Sequence, residues 1–275
     1  MPKSLSMLLK NSFAWLISII VLIPFAVMLV NSFKTKEESY SMTLKLPAVF
    51  QFHNYMTVIQ QGNITSSFLN SFMYAAICVV VVVLTCSMAA FVISRNETRL
   101  NRFVYYLIIM GIILPVNYVA LMKVMQVTLL NNTRIGISLL YAAMNIPISL
   151  LITTSFINTI PKELDEAAII DGCGPWSLFS HIIFPLLKPV MVTVGLLGFM
   201  SAWNDFMMPL YYLNNSSKWP MSLTVYGFFG ASMQAQRQWN LVCADIVLTS
   251  APVIIVYLLG QKYIVSGVTA GAIKG

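Results

Sequence analysis

The chain has 275 residues, of which 58% are hydrophobic and only 9% charged, against roughly 25% charged in soluble domains. So little charge cannot coat a water-facing globule, and a mean hydropathy of +0.80 places the chain in lipid. Its net charge of +7 comes from sixteen Lys and Arg strung thinly between apolar runs, an arrangement that argues against a phosphate-tracking patch and so against nucleic acid as a partner.

Six apolar stretches reach the roughly 20 residues a helix needs to cross a hydrocarbon core: 13–32, 68–94, 103–123, 135–158, 189–213 and 239–261. Lys3 and Lys10 precede the first, which is long and lacks a small-residue cleavage site after it; it is expected to be retained as the first helix and not removed as a leader. Acidic residues enter these stretches only as Asp205 in the fifth and Asp245 in the sixth, and Lys123 sits at the edge of the third. Pro24, Pro115, Pro147, Pro209 and Pro252 fall within five of the six. Each can kink a helix and free a carbonyl. Such bends either reflect the ordinary frequency of proline in membrane helices or line a solute path.

Orientation follows from the basic residues. With both termini cytoplasmic, Lys3, Lys10, Arg95, Arg99, Arg102, Lys162, Lys188, Lys262 and Lys274 lie inside, nine of the sixteen. The short turn carrying Arg95, Arg99 and Arg102 weighs most, because short loops obey the positive-inside rule best. Cys78, Cys86, Cys173 and Cys243 form no C-x-x-C pair and read as small core residues. His53 and His181 are far apart in sequence, which leaves a metal site little to be built from.

The segment between the fourth and fifth stretches, 159–188, is the most informative. From Pro161 it reads PKELDEAAIIDGCGPWSLFSHIIFPLLKP. Pro161 suits a first helical turn, and Glu163, Asp165 and Glu166 complement the positive end of the helix dipole. Leu164, Ala167, Ala168 and Asp171 recur at the spacing of one helix face, and Gly172 is a plausible stop. A second short helix starts near Pro175 and is expected to break at Pro185. The polar face is acidic, whereas a helix resting on lipid headgroups needs a Lys/Arg-rich one. A protein partner therefore fits this hairpin better than a lipid surface does.

Glu166-Ala167-Ala168, Asp171-Gly172, and Ile183 with Pro185 resemble the E-A-A, D-G, I-x-P pattern of inner-membrane permease subunits of binding-protein-dependent ABC importers. Asn54-Tyr55, Asn70-Ser71, Trp203-Asn204-Asp205-Phe206 and the closing 261–275 are similar to the carbohydrate branch, and in particular to its maltose-transporter type of second permease. The resemblance implies an all-α membrane protein with six transmembrane helices and a cytoplasmic coupling helical hairpin between helices four and five. It makes residues 1–275 a single transmembrane permease domain, multi-pass in a bacterial inner or plasma membrane, with a cytoplasmic tail at 262–275. Glu166 would then contact the ATPase, Ala167 and Ala168 would allow close packing, and Gly172 would make the turn. Asp171 and Pro185 complete that coupling set, while Gly271, Ala272, Lys274 and Gly275 would reach the ATPase from the tail. The implied partners are a second permease in a heterodimer, two cytoplasmic ATPase subunits that bind ATP and Mg, an extracellular solute-binding protein and membrane lipid. The cargo would be a sugar, an oligosaccharide above all.

Two further expectations come from the residues themselves. No G-x-x-x-x-G-K-[ST], G-x-S-x-G or H-E-x-x-H run is present, so the chain is expected to hydrolyse nothing and to hold no cofactor of its own. Carboxylates at membrane depth are functional candidates by default. Trp203, Asn204 and Asp205 offer a stacking face and hydrogen bonds that suit a sugar, unless Asp205 lies at the solvated outer end of its span. Asp245 joins them as a pathway candidate, with a hydrogen bond to a neighbouring helix as its simpler reading. Gly195 and Gly198 are expected to permit close helix packing. A phosphorylated-polyol importer would want more cations within the spans, and a secondary carrier more spans and an internal repeat.

Overall fold

In lipid the backbone must satisfy its own hydrogen bonds, which leaves long apolar runs little alternative to helix. The computed structural model describes residues 3–231 and 238–272, and every regular element among them is helical. In order these are α1 (Lys3–Ser32), α2 (Lys36–Ser39), α3 (His53–Gln61), α4 (Ile64–Arg95), α5 (Arg99–Ile109), α6 (Tyr118–Val127), α7 (Arg134–Ile157), α8 (Glu163–Ile170), α9 (Pro175–Ser177), α10 (Phe184–Leu186), α11 (Lys188–Asn204), α12 (Met207–Tyr212), α13 (Met221–Ala231) and α14 (Trp239–Ala272). They fall into two units, residues 1–65 with 223–252, and residues 66–222 with 253–275.

In the first unit, the lipid-length part of α1, Lys10–Ser32, buries none of its most apolar window against the rest of the chain. Its C-terminal end is held by polar side chains instead. Asn54 Nδ2 donates to the carbonyls of Ser32 (2.8 Å) and Lys34 (2.9 Å), capping a helix end whose last carbonyls have no intrahelical donor. The Asn54 side-chain oxygen accepts from Asn240 Nδ2 at 2.9 Å, and the Tyr55 and Ser32 hydroxyls meet at 2.7 Å. Lys34 is buried yet satisfied, donating to Asn31 Oδ1 and to the Thr43 carbonyl and hydroxyl. The Asn-Tyr pair at 54–55 is thus a clamp on the end of α1.

The second unit is built on α4, α7 and α11. Tyr74, Cys78, Val82 and Cys86 of α4, Ile137, Leu140 and Leu150 of α7, and Val190 and Val194 of α11 share one buried cluster. Gly195 lies where α11 packs closely on α4, since a Cβ there would come within 3.3 Å of Val79 Cγ1, a tight contact. Asn70 and Ser71, on α4, tie the loop before α13. Asn70 Nδ2 donates to the carbonyls of Ser217 and Trp219 and its oxygen accepts from Arg134 Nε, while the Ser71 hydroxyl accepts from the Met221 amide.

Six unbroken spanning helices are not what forms. Among the described residues four helices are long and apolar enough on their own: Lys10–Ser32, Ile64–Arg95, Arg134–Ile157 and Trp239–Gln261. The stretch 103–123 divides into α5, continued by a 3-10 turn at Met110–Ile112, and α6. Pro115 lacks an amide hydrogen and disfavours helix at the residue before it, and Asn117 caps the restart by accepting from the Ala120 amide at 3.0 Å. The stretch 189–213 divides at Asp205 and Phe206 into α11 and α12. Prolines alone do not dictate a break, because Pro24, Pro147 and Pro252 lie inside continuous helices.

Candidate functional site

The hairpin forms as the sequence requires, with a tighter mechanism at its tip. α8 stops in a left-handed turn: Gly172 has φ +81°, its amide donates to the Ile169 carbonyl (3.0 Å), and the Cys173 amide donates to the Ala168 carbonyl (2.9 Å). This pairing of the last carbonyls is a Schellman closure, and it favours a residue without a Cβ at the left-handed position.

The second limb is longer than expected. It does not break at Pro185: α9 runs through a π-helical segment, Leu178–Ile183, into α10, giving one helical body over Pro175–Leu186. Pro185 cannot donate to the residue four before it, and a widened turn immediately N-terminal to it accommodates that loss. The sharp change of direction comes at Leu187, where this body meets α11 at 73°. Pro189, in the first turn of α11, likewise cannot continue the hydrogen-bond ladder. Leu187 is buried, and its amide bonds the Ile183 and Phe184 carbonyls.

Exposure sorts the hairpin residues. Glu163, Glu166, Ala167 and Asp171 are exposed, as are Ile169, Ile170 (85%) and Trp176 (67%). The outward surface therefore combines carboxylates with large apolar groups. Ala168 is not part of it: at 4% exposure it packs into the buried cluster. A helix of this pitch turns every third or fourth residue inward, and Asp165 and Ala168 take that side.

Asp165 explains how the hairpin is held. Its Oδ2 lies 2.6 Å from Arg95 Nε at the end of α4, with each side chain 12% exposed. Arg95 Nη2 also donates to the Ile160 carbonyl at 3.2 Å. From the sequence Arg95 counted only toward orientation; a contact across seventy positions leaves no local signal. Its partner pair, Lys162 with Glu97 at 3.7 Å, is exposed and contributes little by comparison.

The proposed solute-pathway residues are dispersed in role. Trp203 is 1% exposed, stacked on Phe199 (centroids 5.4 Å, 23°) and edge-on to Phe68 (5.7 Å, 75°). It fills the core and offers no face to a solute. Asp205 holds the α11–α12 corner: Oδ2 accepts from the Met208 amide (2.9 Å) and the Tyr141 hydroxyl (3.2 Å), and its carbonyl accepts from the Ser222 hydroxyl (2.6 Å). Asn204 is exposed. Asp245, fully buried in the first unit, accepts from the Thr224 hydroxyl with both oxygens, at 2.8 and 3.1 Å, which is the interhelical hydrogen bond of its simpler reading. Asp205→Ala is expected to cost about 2 kcal/mol by stranding an amide and a buried hydroxyl, and Asp205→Asn distinctly less; thermal unfolding of the purified variants measures both. In the tail, Gly271 and Ala272 continue the backbone of α14, whereas Lys274 and Gly275 lie outside the described residues.

The profile of the family described as binding-protein-dependent transport system inner membrane component matches residues 82–270, which takes in the hairpin. The chain is 32% identical to a melibiose/raffinose/stachyose import permease of Bacillus subtilis, over 92% of this chain and 91% of the relative. It is 30% identical to a probable starch degradation products permease of Thermoanaerobacterium thermosulfurigenes, over 94% and 93%. A diacetylchitobiose uptake permease of Streptomyces coelicolor is 32% identical over 94% of this chain and 85% of its own length. The crystal structure of a bacterial ABC transporter that imports the acidic polysaccharide alginate contains a chain of the same fold, with TM-score 0.82 at 22% identity, covering 96% of this chain and 98% of that one.

Proposed function

Because the chain belongs to the binding-protein-dependent transport system inner membrane components, we propose that it is a membrane-spanning permease subunit of an ATP-driven importer whose cargo is a carbohydrate. The observation that carries the cargo class is the near full-length similarity to permeases for starch degradation products, for melibiose, raffinose and stachyose, and for diacetylchitobiose. An oligosaccharide suits all three.

In this reading the outward face of the hairpin docks on a cytoplasmic ATPase. Ile169, Ile170 and Trp176 fill an apolar cleft, and Glu166 with Glu163 and Asp171 meets basic residues at its rim. Ala167 lets the partner approach, and Gly172 shapes the tip. ATP and Mg reside on the two ATPase subunits, and a second permease and an extracellular binding protein complete the assembly. Both termini are cytoplasmic, and the tail around Gly271, Ala272, Lys274 and Gly275 adds a second ATPase contact. Closure of the ATPase pair draws the hairpins together and re-aims the spans they carry, opening the path outward. Asn204, exposed at the end of α11, is assigned to solute contact, and Asp205 to holding its corner.

Co-purification tests this. Glu166→Lys reverses one charge on an exposed face, so folding is expected to be unaffected while ATPase recovery falls at least tenfold relative to the natural chain. If the natural chain brings down no ATPase and solute uptake continues without ATP, the importer reading fails and an ion-driven carrier replaces it.

A further inference from the structure

Within the second unit, α4, α11 and the later part of α14 form an apolar groove of about 560 Å³ that neither the hairpin nor the corner at Asp205 uses. α11 runs along it from Lys188 to Phe199, with Val79 and Val83 of α4 and Val256 and Leu259 of α14 at its sides. α4 comes close to α11 at Gly195. α14 does so at Gly260, where an added Cβ would fall 2.6 Å from Leu196 Cδ2. Lys188 is the one charged residue among those that line the groove. It is exposed, and among the described residues its ammonium has neither a hydrogen bond nor an ion pair.

Its length and width decide what fits. From Lys188 to Phe199 is about 16 Å along a helix, and half of a hydrocarbon core is about 15 Å deep. The groove therefore runs from the membrane surface, where α11 begins, to about the midplane, which is the depth of a single leaflet. A whole helix about 10 Å across displaces on the order of 1,200 Å³ over that length, about twice the space present. A hydrocarbon chain is thinner and can follow the apolar line past Val192 and Leu196. Charge gives the ligand a direction: an unpaired ammonium stands at the surface end and nothing charged lies beyond it, which complements an anionic head on an apolar tail.

We propose that this groove binds one anionic glycerophospholipid from the leaflet on the hairpin side, its phosphate against the Lys188 ammonium and one acyl chain along α11 to Phe199. Bilayer tails are as apolar as the groove, so the chain sets where the lipid lies and the ammonium sets which lipid it is. Basic pockets between spanning helices select anionic heads in this way. A lipid seated here bridges α4, α11 and α14 beside the Leu187 corner. The site does not depend on what the transporter carries. Only the naming of its leaflet as the cytoplasmic one rests on the reading above, and the test makes no use of that.

The test takes the full chain with its co-purifying subunits in dodecyl maltoside and titrates it with phosphatidylglycerol or with phosphatidylcholine of the same acyl chains. Native mass spectrometry counts the bound lipid. The natural chain is to retain phosphatidylglycerol about fivefold more tightly than phosphatidylcholine. Lys188→Gln is to bring the two lipids level, and Lys188→Arg is to keep the preference. Val192→Trp, which fills the groove from a position 39% exposed, is to remove one bound lipid of either kind. Should that variant fail to fold, the two Lys188 variants still decide, because they change an exposed side chain that has no protein partner. Equal retention of both lipids by the natural chain, a preference that survives Lys188→Gln, or a lipid count unchanged by Val192→Trp overturns the proposal. So does a groove closed by a protein neighbour, seen as no retained lipid together with a Val192→Cys thiol that a maleimide reaches in the isolated chain and not in the assembly.

Discussion

Arg95→Ala is expected to lower stability by about 3 kcal/mol, because it strands the Asp165 carboxylate in a site where each side chain keeps only 12% of its surface exposed. The residual solvent puts the cost at the low end of that for fully buried pairs. Asp165→Ala should do the same from the other side, leaving a guanidinium with the Ile160 carbonyl as its remaining acceptor. Arg95→Met with Asp165→Leu separates charge from packing. Apolar groups of similar volume commonly replace a buried ion pair without loss, so the double variant should return to within about 1 kcal/mol of the natural chain, a non-additivity expected for residues in contact. Thermal unfolding reads the stability. ATP hydrolysis by the assembled transporter, with and without solute, reads the coupling, which should fall in both single variants. If the singles add to give the double, the pair is not what holds α8.

At Gly172 the expected order is Gly172→Val worst, Gly172→Ala intermediate and Gly172→Asn mildest. An added Cβ meets nothing within 4 Å, so steric overlap is not the cause. The cost arises in the backbone, since φ +81° lies in the left-handed region that asparagine tolerates best and branched side chains worst. Alanine is expected to cost about 1–2 kcal/mol and valine more, read by thermal unfolding. Because the two Schellman bonds come from this turn, ATPase recovery on co-purification should follow the same order. Equal losses in all three variants would mean that a partner requires glycine for space, and that the turn itself is not limiting.

Much of the hairpin was legible in the sequence because its determinants are local. Pro161, the acidic first turn and Gly172 each act within one turn of themselves, and α8 with its stop formed where they indicate. The second limb was harder to read: Pro185 marks a lost hydrogen bond, but whether a chain breaks or widens there depends on packing around Phe179 and Ile183, both buried. Stretches three and five are read as apolar spans, and in the structure each divides into two helices, around Pro115 to Asn117 and at Asp205 and Phe206, because the apolar run alone does not say whether a proline or a capping side chain ends the helix or is absorbed in it. Trp203 and Asp205 looked like a sugar platform because aromatic and acidic neighbours suit one. Trp203 turns into the core, however, and Asp205 follows the last residue of α11 in extended backbone, which leaves its carboxylate to the corner. The pairs Arg95–Asp165 and Asn70–Arg134 were invisible, as their members are 70 and 64 positions apart.

The corner at Leu187 also has a mechanical meaning. Two stiff rods meet there at 73°, a shorter one over Pro175–Leu186, half of it π-helical, and one of about 25 Å over α11, at 1.5 Å per residue. Such a joint is a bell crank: if the buried Leu187 keeps the angle fixed, a push at the Pro175 end turns the whole piece, and the far arm sweeps further than the near one. With the far arm the longer, a thrust at the hairpin swings Asn204 by more than the thrust itself. The gain is built into where the chain bends, so moving that bend by one turn would change the stroke at the far end without altering either contact surface.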